Sequence, residues 1–82
     1  MYYVYLLKSA KDNGFYIGYT HDLRRRFLEH TNGKVDATMY RRPLKFFYYE
    51  AYEIDTLAQE RERKLKQFGS AYTALLKRLK IK

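Results

Sequence analysis

Cysteine and tryptophan are missing from this chain, proline occurs once, glycine four times, and nine acidic residues stand against 17 basic ones. Without cysteine there is neither a disulfide framework nor a thiolate metal site, so an apolar core alone must hold the fold; a cytoplasmic location is the expectation. The apolar runs, Val4 to Leu7 and Phe46 to Tyr49, fall far short of the roughly 20 residues of a membrane span. No basic region followed by a cleavable apolar stretch opens the chain, which predicts neither membrane association nor secretion. The glycines stand apart, so a glycine-rich loop cradling nucleotide phosphates is excluded. With histidine only at positions 21 and 30, so is a multi-histidine zinc site.

What the chain has instead is aromatic side chains and positive charge. Its 82 residues allow one domain, 1–82, with one small core. Ten tyrosines and five phenylalanines supply enough ring surface to exclude disorder. The net charge is +8, of which residues 1–21 carry +1, residues 22–50 carry +3 and residues 51–82 carry +4. Such an excess serves solubility, but with the aromatic content it points to a polyanionic partner, nucleic acid.

The hydrophobic pattern predicts an α+β domain. Tyr2 to Leu7 is a short aromatic and β-branched run suited to a strand buried on both faces. Asp12-Asn13-Gly14 is a turn signal, and Phe15 to Tyr19 completes a hairpin. A helix capped by Thr20 or Asp22 carries Leu23, Phe27 and Leu28 to a stop at Gly33. A short helical turn near Ala37 and a break at Pro43 lead into a third strand, Lys45 to Tyr52. Thr56 is the expected cap of a second helix with an apolar face of Leu57, Ala58, Leu65 and Phe68. Gly69-Ser70 is expected to end it and to start a third helix carrying Ala71, Leu75 and Leu79. The order yields a three-stranded, mostly antiparallel sheet flanked by three or more helices.

Several side chains in this scheme have chemistry to offer. Tyr5 and Tyr16 lie on adjacent strands of the hairpin, where their phenols can converge. Arg26 and His30 are four residues apart, one turn on the same helix face, so they can address one ligand. A guanidinium there grips a phosphate through two hydrogen bonds, and an imidazole titrates near neutral pH. The Arg24-Arg25-Arg26 run on its own is more plainly an ordinary solvated face. Glu62 sits at the edge of its helix's apolar stripe, half sheltered, while Glu60 points away. One such carboxylate with several waters is a reasonable Mg²⁺ ligand, and a surface Glu among Arg61, Arg63, Lys64 and Lys66 is the plainer alternative. Arg61 falls nearer the middle of the apolar face than a surface residue should, so its stem covers the core edge or its head meets phosphate.

Taken in order, Tyr3-Val4-Tyr5, Tyr16-Ile17-Gly18, Asp22-Leu23 with Arg26 and His30, and Arg61-Glu62 resemble the GIY-YIG nuclease pattern. The likeness runs from Tyr3 to about Lys66. It is closest to small standalone members, which tend to show Arg41-Arg42-Pro43 and the run Arg61-Glu62-Arg63-Lys64-Leu65-Lys66; it extends to the N-terminal nuclease module of a bacterial excision-repair endonuclease and to phage homing endonucleases. The resemblance implies the GIY-YIG fold and metal-dependent hydrolysis of DNA phosphodiester bonds with Mg²⁺ or Mn²⁺. It assigns catalysis to Tyr5, Tyr16, Arg26, His30 and Glu62, with Glu62 on the metal, and makes Gly18 the structural glycine that lets the second strand turn closely into Tyr19-Thr20. Tyr5, helped by His30, would handle the proton of the attacking water, and Arg26 the charge on phosphate.

Arg24, Arg25, Arg41, Arg42, Arg61 and Lys66 are the expected nucleic-acid contacts. The implied partner is DNA, branched or damaged, met by a monomer with or without an accessory protein and recognised by structure more than sequence. The alternative is a non-catalytic nucleic-acid-binding module of the same fold. Two departures stand out: Tyr3 replaces the glycine of the first motif, and no Asn follows Gly69, which leaves phosphate positioning weaker or supplied by a partner.

Overall fold

The computed structural model describes residues 1–81. Strands β1 (Tyr2–Ser9) and β2 (Phe15–Thr20) form the hairpin, helix α1 spans Leu23–Thr31, a 3₁₀ turn covers Met39–Arg41, strand β3 runs Leu44–Tyr52, and helices α2 (Asp55–Leu65) and α3 (Ser70–Arg78) follow. The sheet order is β2-β1-β3, and both pairings are antiparallel. The α+β, GIY-YIG-type architecture read from the sequence is therefore the one observed.

Strand β1 lies in the middle and is buried on both sides: Val4, Tyr5, Leu6 and Leu7 are each at most 3% exposed. Alternation sends Val4 and Leu6 to one face, where they join Ile17, Ala58, Leu65 and Leu75 in the core under α2 and α3. Tyr5 and Leu7 point to the opposite face, the side of α1, where the Tyr5 ring meets His30 and Phe46. A bulge between Leu6 and Leu7 shifts the register against β3, so that Tyr5 faces Tyr49 while Leu7 faces Phe46.

Most of the local signals act as expected, with three corrections. Asp22 caps α1, its carboxylate accepting from the Arg25 amide, and Gly33 takes the left-handed φ of +73° just past the helix. Asn13 takes the positive φ of the hairpin turn. Thr56, however, does not cap α2: the helix begins at Asp55 with Ile54 in the cap position. Asp55 is held by the Tyr19 hydroxyl and the Gln59 amide, which both donate to it, and an acid suits the positive end of the helix dipole. Leu57 and Phe68 are exposed instead of facing the core. Helix α2 ends before Phe68, which itself adopts φ +55°, so the reversal falls there and Gly69 serves as the start of α3. The Phe68 ring packs edge-on against Tyr72, 4.8 Å between centroids.

On the α2/α3 face of the sheet sits one polar cluster. Glu50, opposite Val4 in the register, accepts two parallel bonds from Arg61 at 2.9 Å and one from each of the Tyr48 and Tyr52 hydroxyls at 2.6 Å. Burial alone would push the Glu50 carboxyl up, but Arg61 and the two phenols hold it at about 2. This bidentate pair ties α2 to β3. It accounts for Arg61 lying near the apolar face, and it commits that guanidinium to a structural partner on the sheet face away from Tyr5. Replacing the acid leaves Arg61 half buried without its counter-charge, so Glu50→Ala is expected to cost about 2–3 kcal/mol of unfolding free energy in a urea titration. In the wild type the acid's contribution is complete above pH 4.5 and is lost as pH falls from there towards about 2.

Candidate active site

The cluster on the α1 face is built around Tyr5. Directly opposite it in β2 is Gly18, and a Cβ at that position would overlap the Tyr5 ring, with Cε1 only 2.7 Å away. The glycine thus lets the tyrosine ring lie down over the neighbouring strand. This differs from the turn-permitting role expected from the sequence: Gly18 is inside β2, with φ in the ordinary range, and its missing side chain is space that Tyr5 fills.

Lying there, the Tyr5 hydroxyl is 2.8 Å from His30 Nε2, and His30 Nδ1 is 2.7 Å from the Thr38 hydroxyl. Both His30 and Thr38 are fully buried. Tyr16 closes the other side, its ring 6.4 Å from Tyr5 and 5.1 Å from His30 between centroids. Arg26, one turn before His30 on α1, places its guanidinium beside the Tyr5 phenol, where its charge is felt, and donates to Glu29 at 2.9 Å. Tyr5 with Tyr16 and Arg26 with His30 are therefore paired as their spacing suggested, and the two pairs meet as the family resemblance implied.

Thr38 is the member that sequence reasoning missed. It precedes the 3₁₀ turn in a stretch without hydrophobic periodicity, and only the folding of residues 33–43 against α1 carries it to His30. The chain Thr38–His30–Tyr5 accommodates its protons in two directions. With the Thr38 hydroxyl donating to Nδ1, Nε2–H donates to the Tyr5 oxygen. With Nδ1–H donating to Thr38, Nε2 accepts from Tyr5, and a proton can pass inward from the phenol.

Burial sets the protonation states. It pushes the Tyr5 phenol up to about 12, with Tyr16 adding to the rise and Arg26 opposing it. It pushes His30 down to about 4, and the positive charge of Arg26 adds to the drop. The near-neutral titration expected of the imidazole is thus displaced by desolvation: His30 stays neutral at pH 7 and carries one proton on one ring nitrogen.

Glu62 stands at the edge of this group. Its side chain is 23% exposed, and Lys66 pairs with Oε2 at 3.1 Å; the same ammonium lies 5.9 Å from the Tyr16 ring centroid. The negative charge of Glu62 reaches the Tyr5 phenol, where it disfavours ionisation. Glu60 is half exposed and pairs with Lys64, as its outward position implied. Among the described residues no three His, Cys, Asp or Glu side chains gather into a metal-ligating group. One carboxylate is what remains, a donor set that fits a strongly hydrated Mg²⁺ or Mn²⁺ keeping most of its waters and does not fit a zinc cage.

The other basic residues fall into two groups. Arg24 is exposed, and Arg25 shares Glu29 with Arg26. Arg41 is engaged by Asp12 at 2.7 Å, and Arg42 donates to the carbonyls of Met39 and Thr31 at the end of α1. Arg41, Arg42 and Arg61 thus have structural partners, whereas Arg26 and Lys66 lie beside the tyrosine–histidine group.

Two outcomes follow from this geometry. Gly18→Ala must lift the Tyr5 ring off β2, so it is expected to destabilise the fold by about 1–3 kcal/mol in denaturant titrations, as overpacking does. His30 resists protonation in the fold, so stability is expected to decline as pH falls from 6.5 towards about 4. A histidine NMR titration should place its midpoint near the lower value; a midpoint near 6.5 would contradict the buried placement.

Comparison with known proteins agrees with this architecture. Residues 1–77 match the family described as the GIY-YIG catalytic domain. Among curated relatives, a UPF0213 protein of Staphylococcus saprophyticus is 35% identical over 69 residues, covering 83% of each chain. Another, from Clostridium perfringens, is 41% identical over 68 residues, covering 82% of this chain and 72% of its own. No solved structure gave a significant match. With the matched region containing the hairpin, Tyr5 over Gly18 and the Arg26–His30 turn, this chain belongs to the GIY-YIG catalytic-domain family, within the nuclease superfamily.

Proposed function

We propose that this protein is a divalent-metal-dependent endonuclease that hydrolyses DNA phosphodiester bonds and reads the structure of its substrate more than its sequence. The observation that carries the reading is the buried Thr38–His30–Tyr5 hydrogen-bond chain opening beside the Arg26 guanidinium. A phenol held neutral with an acceptor nitrogen behind it can orient a water molecule, take its proton and release its own to His30 Nε2. The low proton affinity of His30 makes that proton transient and allows its return. Arg26 stands where it can pair with a phosphate oxygen as negative charge grows, exchanging Glu29 for the substrate. Tyr16 walls the phenol and excludes water from one side.

Glu62 is the residue that would hold the cation, and Mg²⁺ or Mn²⁺ held there would supply Lewis-acid stabilisation of a phosphate oxygen. The basic excess of the chain favours a polyanion, and no helix among the described residues is long and apolar enough to cross a membrane.

One observation favours a second reading. Arg26 and Glu62 are both engaged by neighbouring side chains of opposite charge, which suits a module that docks nucleic acid without cutting it. The two readings separate in one assay. Purified protein is incubated with labelled single-stranded, duplex and branched DNA in Mg²⁺, beside EDTA, Glu62→Ala and Arg26→Ala. Cleavage by the wild type that EDTA and Glu62→Ala abolish, and that Arg26→Ala slows by about 100-fold or more, is the expected result. Binding without cleavage by all three proteins would establish the docking module. In either case affinity must fall with rising salt, because phosphate contacts release counterions.

A further inference from the structure

On the far side of Tyr5 from Gly18 the sheet presents a second aromatic residue. Tyr49 is opposite Tyr5 in the β1–β3 register, so both rings leave the same face of the sheet. Tyr5 lies over Gly18 towards His30, whereas Tyr49 is 52% exposed. Its ring is braced edge-on by Tyr3 and Phe46, each 6.0 Å away between centroids at about 65°. Its hydroxyl has no hydrogen-bond partner among the described residues, so nothing polar inside the protein explains the side chain's place. Phe46 in turn stacks against Tyr5 and meets Phe27 of α1 at 5.4 Å, which sets the ledge next to the helix that carries Arg24, Arg25 and Arg26.

A braced, half-open ring near a basic helix, linked through Phe46 and Tyr5 to the Arg26 guanidinium, has the composition of a single-strand platform: positive charge tracks the backbone and a ring receives a base. We propose that Tyr49 stacks an unpaired nucleobase flanking the phosphate held at Arg26, which directs the site to single-stranded segments or to junctions with unpaired bases. Charge decides the occupant. A second copy of this chain would bring its own +8 against the same basic helix, and a base inside a duplex is already stacked on its neighbours. The inference rests on the nucleic-acid reading above and specifies which form of DNA that site takes.

The test uses single-stranded DNA oligonucleotides in EDTA, where cleavage is silent, with an abasic position or 2-aminopurine walked along the strand and a fully paired duplex as the reference. Wild-type protein should lose affinity at one abasic position and quench 2-aminopurine there. Tyr49→Leu, which keeps apolar bulk and removes the ring, should weaken single-strand binding by about tenfold and erase the abasic penalty; duplex binding should change little. Tyr49→Phe should restore the penalty, and thermal melts of both variants report that the fold is intact. If Tyr49→Leu binds the single strand as the wild type does and keeps the abasic penalty, the platform is overturned while the nuclease reading stands. If the wild type binds neither strand nor duplex, the nucleic-acid reading fails and the platform with it. Self-association in sedimentation that Tyr49→Leu abolishes, with no abasic penalty in the wild type, would assign the ledge to a second copy and also overturn the proposal.

Discussion

A central strand covered on both faces leaves no side chain of its middle indifferent to its direction. In β1, Val4 and Leu6 supply the core under α2 and α3, and Tyr5 and Leu7 supply the contact with the α1 side. A slip of one residue would exchange the two sets, sending the phenol into the apolar core and a valine to His30. The register that builds the hydrophobic core therefore also aims the tyrosine. Gly18 completes the arrangement because the ring needs its neighbour's side-chain volume. Core packing and site geometry are in this way one constraint, and a stable core is the means by which a small sheet holds a phenol, an imidazole and a guanidinium together.

The same dry environment that fixes these groups sets their charge. Tyr5 and His30 are pushed away from ionisation in opposite directions of pH, to about 12 and about 4, so both are neutral over the physiological range. A neutral phenol and a neutral imidazole in hydrogen-bond contact form a path along which a proton can pass. The charged groups stand at the rim, where Arg26 and Glu62 reach solvent and pair with Glu29 and Lys66. Neutral interior and charged edge follow from the cost of burying an isolated ion.

Positive charge alone was a coarse guide. The excess of basic residues pointed to a polyanion, but it did not sort them. Arg61 is held by Glu50 on the opposite face of the sheet, Arg41 by Asp12, and Arg42 by backbone carbonyls, so much of the basic content ties elements together. Arg26 is left beside the Tyr5 phenol. Sorting required the partners, which come from β2, β3 and the connecting turn and are remote in sequence.

Legible in the amino-acid order alone were the succession of elements, the double burial of β1, a helix cap at Thr20 or Asp22, the stop at Gly33, and the spacing that sets Arg26 and His30 on one helix face. These depend on hydrophobic periodicity and backbone preference, which act over a few residues. The same order carried the family pattern that names Tyr5, Tyr16 and Glu62. Packing was needed to establish that Thr38 backs His30, that Gly18 makes room for Tyr5, that Arg61 serves Glu50, and that Tyr49 is left open beside the site. It also moved the end of α2 forward of Phe68 and freed Leu57 from the core, where local apolar character had suggested otherwise. Each of those outcomes is a contact or an exposure set by strand register and by the packing of distant segments, and local propensity contains no term for either.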